Sequence, residues 1–575
     1  MRQTIFVFAL VFIMMSVSAQ ENSIFFDGNI KDWNESTEKY DDADDDGDGI
    51  ELLALEITND QENLYIALTL DDELLLNNHN NLVLYLDTDR NATTGYQAGN
   101  IGAELRWYFG QRRGDFTDTK ERIYHNDIGF SALPTVTSDT FEIKISRDAL
   151  PDGTNPLFPD DSFHLRLGVE NGDVIPNSGE TLSYTFDDGL INNFKPVDLA
   201  RPNEKHVRLM SYNVLHDGIM KPERQPYFRR ILKAVNPDII VLNECWDTEA
   251  AAIRAFMDAT LPLEGEKGWS AIKRDAGNII ASRYNIPRGW HIHEDMRLTA
   301  ALIDLPKPAF SRDFLVIGGH FRCCDANEER QREADAFAAF IQDALKPEGR
   351  IHLNENTPFM LAGDLNLVGY SQQLETLLSG EIVNTDDFGE GGSPDWDGTG
   401  LQDIVSPHTD RPVAFTWINN ESSFWPGRLD FSIGSNSAFE VLKTFILETG
   451  HMSDARLQEY NLKKEDTQEA SDHLPKITDL KLKEVAATDY PVEAELTVLP
   501  NPASHSLTLK VGKRVYDSVT VIAASSGKTV LRQQLSKTKS AVSFDVKNWD
   551  DGVYILQLSL SDSQRYVYKK VVIMN

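Results

Sequence analysis

Through residues 20–200 apolar and polar positions alternate in short runs. "NLYIALTL", "NLVLYLDTD", "AELRWYFG", "TFEIKIS" and "SFHLRLGVE" are set off by Asp, Asn and Gly turns. Successive side chains of a strand point to opposite faces, so these runs predict half-buried strands, and their spacing predicts a β-sandwich. Residues 203–480 are patterned differently. Unbroken apolar runs ("HVRLMSYNVL", "DIIVLNECW", "DFLVIGGHF", "PFMLAGDLN") alternate with helical stretches ("QPYFRRILKAVN", "ERQREADAFAAFIQDAL", "SQQLETLLSG"). Strands buried on both faces read this way, which predicts one large α/β core. After the linker-like "KEVAATDYPVEAE", alternation returns over residues 490–575 and predicts a second, small β-sandwich. Residues 1–19, "MRQTIFVFALVFIMMSVSA", join a basic start to an apolar run and a small-residue end, the pattern of a secretory signal peptide. No later run approaches the roughly 18 apolar residues of a membrane helix. The mature chain is therefore expected to be soluble and exported, without a transmembrane segment.

Composition narrows the partners. With 41% hydrophobic and 9% aromatic residues the chain is globular, and its length predicts about two to four domains. The net charge is −35, with most of the excess acid before residue 203 and a slightly basic tail. Such acidity disfavours sequence-indifferent adhesion to nucleic acid, yet local cations could still serve the turnover of a polyanion. The three cysteines, Cys245, Cys323 and Cys324, all lie in the middle segment. An odd number leaves one unpaired, and a disulfide from Cys245 to Cys323 or Cys324 is expected. Without a CxxC motif, redox catalysis is not.

Two acidic loops stand out in the first segment. "DDADDDGDG" offers Asp42, Asp44 and Asp46, but Leu53 stands where an EF-hand would close with glutamate. "DTDRNATTGY" offers Asp87, Asp89 and Asn91 at the same two-residue step. Solvated turns and structural Ca²⁺ sites are both open readings. Together with "FFDGNIKDWN", the second loop resembles the carbohydrate-binding-type sandwich modules fused to secreted bacterial enzymes. That likeness implies a glycan as a candidate partner, with Trp33 and Trp107 as either platform or core. In the tail, "LPNP", "SGKTV", "GVYILQL" and "KKVVI" resemble the type A sorting domain of the type IX secretion system. This implies the type IX machinery as a partner, outer-membrane passage and a secreted or cell-surface location.

In the middle segment polar groups interrupt apolar runs at what read as strand ends. These are Asn213 in "MSYNVL", Glu244 in "VLNECWD", His320 in "GGHFRCC", Asp364 and Asn366 in "LAGDLN", Asp430 in "GRLDFSI", and Asp472 and His473 in "SDHLP". Each alone has an ordinary explanation as a turn or a structural group. Together they form a chemical set. Hard oxygen ligands suit Mg²⁺, and hydrolysis of a phosphodiester needs an activated water and stabilised phosphoryl charge.

In this order the motifs resemble the endonuclease/exonuclease/phosphatase superfamily, which includes deoxyribonucleases, exonuclease III-type repair enzymes, inositol polyphosphate 5-phosphatases and neutral sphingomyelinases. "GNIIASRYNI" adds Gly277, Asn278, Ser282 and Arg283 of a family strand signature, with Asn285 where proline is usual. The resemblance implies a four-layer α/β sandwich with the site at one end of two packed sheets. It implies Glu244 as the main ligand of Mg²⁺ or Mn²⁺, with Asn213 beside it and Asp472 on the metal side. Asp364 would orient or deprotonate the attacking water, Asn366 would contact the phosphate, Asp430 would pair with His473, and His320 would contact the phosphate. The acid that would support His320 is not obvious; Asp275 is the nearest candidate.

The implied function is a secreted, divalent-metal-dependent phosphodiesterase, first an extracellular nuclease. Phospholipid (sphingomyelinase-like) or inositol-phosphate hydrolysis is the alternative, and an inactive surface-binding protein the second. A nuclease should carry cations beside the site, with Arg322, Arg428, Arg411 and Lys273 as candidates. A lipid enzyme should expose an apolar hairpin there, and "SSFWPG" (422–427) is the one stretch of that kind. Trp246, Trp417 and Trp425 could stack on a base, line such an edge or fill the core.

Overall fold

The structure is a computed structural model that describes residues 24–33, 37–42, 49–117, 121–169, 172–265, 268–351, 353–484, 496–511, 516–524, 528–535, 541–560 and 566–574. The expected signal peptide, Asp44 and Asp46 lie outside them. The chain divides into two compact units, Met1–Lys483 and Glu484–Asn575.

The first unit opens with two facing antiparallel sheets, one of five strands and one of seven. The long strands Leu52–Asn59, Asn63–Leu74 and Ser138–Ser146 lie in the first sheet, and Leu82–Asp87 and Ser162–Val169 lie in the second. The alternating runs turn one face inward, so Leu55, Ile57, Ile66, Leu68, Leu84, Leu86, Phe141 and Leu165 meet in one core. Trp107 is buried there and stacks on Phe130, with ring centroids 4.3 Å apart. Trp33 is half-buried, and its indole N–H donates to Glu142 at 2.7 Å. Neither tryptophan forms an open platform for a sugar.

The unbroken apolar runs that follow become β1 (Val207–Asn213), β2 (Ile239–Asn243), β3 (Phe314–His320) and β4 (Phe359–Asp364). Strand β5 (Asp430–Gly434) pairs with β4, and β6 (Lys476–Leu482) pairs with β1, both antiparallel. β1 and β2 are parallel at the centre of one six-stranded sheet, and β3 and β4 are parallel at the centre of another. Period-two alternation explains why both faces of each strand are apolar. Leu209, Val241, Val316 and Met360 meet between the two sheets. Met210 and Leu242 face outward toward helices Gln225–Val235 and Ala250–Thr260. Leu315 and Leu361 face outward toward helix Asn327–Ala344. The result is a four-layer α/β sandwich.

The "SSFWPG" hairpin divides between the two readings, with Phe424 exposed and Trp425 buried. Trp425 is only 5% exposed and sits in the core of the N-terminal sandwich. Its ring meets Phe130 edge-on at 5.0 Å, and its indole N–H donates to the Ala132 carbonyl at 3.0 Å. The hairpin is a peg that joins the two parts of the first unit, because an indole gains more from a packed core than from water. Among the described residues no helix is long and apolar enough to cross a membrane.

The second unit, described by itself, holds a three-stranded and a four-stranded antiparallel sheet. Leu507, Leu509, Val519, Val521, Leu556 and Leu558 fill its core.

Candidate active site

Strand register brings the polar strand ends to one rim. Asn213 pairs with Asn243 across β1 and β2, His320 with Asp364 across β3 and β4, and Asp364 with Asp430 across β4 and β5. Glu244 follows β2 directly. His473 precedes β6, which runs antiparallel to β1 and so begins at the same end. The glycine of "LAGDLN" permits this convergence. Gly363 has φ +147°, and a Cβ there would lie 1.9 Å from the Gly319 carbonyl oxygen, so only glycine lets β4 approach β3 so closely. Glu244 (φ 59°) and Asn366 (φ 46°) adopt left-handed backbone, which concentrates at functional sites because the surrounding structure must enforce it.

The side chains interlock. Asn213 Nδ2 donates to Glu244 Oε1 at 3.1 Å and to Asp364 Oδ2 at 2.9 Å, while its Oδ1 accepts from the Leu215 amide at 3.0 Å. Glu244 Oε2 accepts from the His216 amide at 2.8 Å. Asp364 Oδ1 accepts from the Asn366 amide at 3.1 Å, and Asn366 Nδ2 donates to the Phe321 carbonyl at 3.2 Å. His473 Nδ1 lies 2.8 Å from Asp430 Oδ2, and its Nε2 lies 3.7 Å from Asp364 Oδ2. His320 Nε2 lies 3.6 Å from the same Asp364 oxygen, and Trp417 Nε1 donates to Asp472 Oδ2 at 3.1 Å.

Burial and charge set the protonation states. Burial alone would strip the proton from His473, but the Asp430 and Asp364 carboxylates and the Nδ1 hydrogen bond reverse this and raise its pKa. Asp364 is pushed upward by burial, against the lowering effect of the His473 charge. His320 is driven well below the usual histidine range by burial and by the Arg297 guanidinium, so its imidazole is neutral. Two histidines on one rim thus carry different charge.

Glu244, His320 and Asp364 each bring a ligand atom within 4.8 Å of the others. Among the described residues Asp472 Oδ1 and Asp430 Oδ1 are buried without hydrogen-bond partners. Carboxylate oxygens of this kind fit a hard divalent ion. In the orientation seen, Asn213 braces two carboxylates; holding a metal through its oxygen would need the carboxamide turned over.

The sequence left several features unread. Asn243 is buried, receives the Asp364 amide at 3.1 Å and donates to Asn278 Oδ1 at 2.8 Å and to the Gly319 carbonyl at 2.9 Å. It ties the two sheets together beneath the site, and its signal was a carboxamide at a core position next to Glu244. Asp275 does not support His320. Its oxygens accept from the Gly277 and Asn278 amides, Asn278 Nδ2 and Thr299, and His320 Nδ1 has no partner among the described residues.

Three of the four candidate cations are committed elsewhere. Arg428 pairs with Asp403, Arg411 lies 3.8 Å from Glu448, and Lys273 donates to the carbonyls of Cys245, Trp246 and Thr248. Arg322 stays exposed. The expected Cys245 disulfide is absent, and all three thiols are free. Cys245 is buried in the core outside β2, while Cys323 and Cys324 are exposed at the rim. Of the calcium candidates, Asp87 and Asp89 gather with Glu104 within 4.8 Å. The Asn91 amide closes that turn onto Asp87 and Asp89, and Asp42 accepts from Asn177.

The sequence profile of the Endonuclease/Exonuclease/phosphatase family matches residues 210–473, the span that holds every rim residue above. This central domain belongs to that family. The profile of the secretion system C-terminal sorting domain matches residues 497–574, so the chain carries a type IX signal for the cell surface or the extracellular space. No curated protein matches the chain by sequence. Among solved structures, the endonuclease/exonuclease/phosphatase domain is similar to the human Nocturnin catalytic domain at 14% identity, covering 48% of this chain and 95% of that one with a TM-score of 0.29. ANGEL2, a 2′,3′-cyclic phosphatase, matches at 14% identity over 48% and 95% with a TM-score of 0.33. An endonuclease/exonuclease/phosphatase family protein from Bacteroides thetaiotaomicron matches at 17% identity over 51% and 100% with a TM-score of 0.31.

Proposed function

We propose that the protein is a secreted, divalent-metal-dependent phosphodiesterase, with nucleic acid as its first substrate class. The observation that carries this reading is the rim itself: a carboxylate and imidazole cluster within 4.8 Å beside a buried His473–Asp430 pair. Glu244 would hold Mg²⁺ or Mn²⁺, with Asp472 and the Asn213 carboxamide completing the protein side. When bound, such an ion lowers the pKa of water and neutralises phosphoryl charge. Asp364, its basicity raised by burial, is the group that takes a proton from the attacking water. His473 stays an imidazolium under Asp430 and Asp364 and offers its Nε2–H to a phosphoryl oxygen, where charge grows in the transition state. Neutral His320 donates a second hydrogen bond, and Asn366 orients the phosphate. Trp246 and Trp417 flank the cleft half-buried and offer flat apolar surfaces to a base. The lipid reading keeps only Phe424 of its hairpin, exposed at the cleft, since Trp425 is spent on the sandwich core.

The test is hydrolysis of linearised plasmid DNA, a linear single-stranded oligonucleotide and bis(p-nitrophenyl) phosphate by the mature protein with Mg²⁺, with EDTA and His473→Ala as controls. Hydrolysis lost in both controls is expected. Silence on every diester would overturn the reading.

A further inference from the structure

The N-terminal sandwich does more than dock. The cleft that holds Glu244, His320, Asp364 and His473 has a volume of about 640 Å³, and its far side includes Leu75, Asn77 and Asn78 of the sandwich and Phe424 of the peg hairpin. Nothing in the sequence joins residues near 75 to a site built from positions 213–473.

This wall is braced. Asn80 Nδ2 donates to the Leu75 and Leu76 carbonyls at 2.9 and 2.7 Å, which closes the loop on itself. Arg112 donates to the Asn77 carbonyl at 2.6 Å and to Ser423 Oγ at 3.2 Å, and its guanidinium lies 4.2 Å from the Phe424 ring centre. Thr135 Oγ1 donates to the Leu367 carbonyl at 2.7 Å, and the Thr137 amide donates to the Gly369 carbonyl at 2.8 Å. Leu367 follows Asn366 by one residue, so the sandwich grips the segment that carries the site. By contrast, the Asn77 and Asn78 carboxamides make no hydrogen bond among the described residues. Asn78, half-buried beside the cleft, remains available to a ligand, whereas Asn77 is buried.

Charge decides what this side can accept. A strand continuing past the scissile phosphate would press further phosphates against Leu75, Phe424 and the exposed Asp325, where the sandwich's Arg112 is already tied to the Asn77 carbonyl, Ser423 and the Phe424 face. A flat, polar-edged and uncharged group suits the wall. Apolar and aromatic surface stacks a base, and a carboxamide pairs with the donor and acceptor edge of one.

Resting on the phosphodiesterase reading above, we propose that the sandwich loop is a substrate-selecting wall that receives the terminal nucleoside of a strand. The enzyme then removes nucleotides from ends and does not cut within a continuous strand. Leu75 and Asn78 are the specificity-determining residues.

The experiment compares one single-stranded oligonucleotide in linear and covalently circular form, together with bis(p-nitrophenyl) phosphate, using the full mature protein and the variants Asn78→Ala and Leu75→Ala. The linear strand is expected to be cleaved at least about tenfold faster than the circle. Asn78→Ala is expected to lower the kcat/KM ratio of linear strand to small diester about tenfold, through KM, as for loss of one base-edge contact. Equal rates on circle and line would overturn the proposal, and that comparison needs no variant to fold. So would variants that leave the ratio unmoved, or hydrolysis of the small diester with no cleavage of any strand. Silence on all three substrates would instead overturn the phosphodiesterase reading itself.

Discussion

The Asp430–His473 pair gives the sharpest test of the proposed chemistry. Asp430 is fully buried, and its Oδ2 lies 2.8 Å from His473 Nδ1. Asp430→Asn keeps the shape and removes the charge. Burial of His473 is then opposed mainly by Asp364, and its pKa falls. In the wild type the raised pKa keeps the imidazolium present below and through neutral pH. In the variant the imidazolium survives only toward acid and is lost as pH rises through the lowered pKa. A positioned proton donor contributes about 10²–10⁴ in rate, so kcat at neutral pH should fall by about that factor, roughly 3–5 kcal/mol of barrier. KM should change little. The assay is initial-rate hydrolysis of bis(p-nitrophenyl) phosphate over about pH 5 to 8, where a histidine changes charge. The ratio of variant to wild-type kcat should rise toward acid. His473→Ala and the double variant should be equally slow, because groups that act as a unit are not additive. Additive losses, or a uniform loss with no change of pH profile, would refute the charge assignment.

Three further outcomes follow from the packing. Trp425→Ala should destabilise the first unit by about 3–5 kcal/mol, the cost of truncating a buried tryptophan, read as a lower melting temperature or a split transition in calorimetry. Arg208 is fully buried and grips both Asp479 oxygens at 2.7 Å between β1 and β6; Arg208→Ala should cost about 3–5 kcal/mol in denaturant unfolding, since it strands a buried carboxylate. Deleting residues 484–575, a separate compact unit, should leave the melting of the first unit and its diester hydrolysis intact while abolishing export by the type IX route.

The α/β core was legible because its signal is local. A strand buried on both faces must be apolar at every position, so "HVRLM" and "DIIVL" could be little else, and a polar residue at the end of such a run marks a rim. Asn213, Glu244, His320 and Asp364 were found that way, and register then brought them together. What failed to read out depends on a partner. An apolar hairpin such as "SSFWPG" looks the same whether it faces a lipid or a neighbouring core, and only the Phe130 ring decides. Asn77 and Asn78 look like an ordinary polar turn until the site is seen opposite them. The cations teach the same lesson more sharply. An arginine near a catalytic strand can meet substrate or neutralise a buried carboxylate, and residue type does not separate these fates. Arg428 meets Asp403 at 25 residues' separation and Arg411 approaches Glu448 at 37. Each fold-made pair removes a cation that a sequence would assign to a polyanion. The cleft that remains is less basic than its four candidate cations suggested, and its lining Arg297 is tied to the His320 and Phe321 carbonyls; that is the physical ground for expecting it to hold one phosphate at a strand end in preference to a track of them.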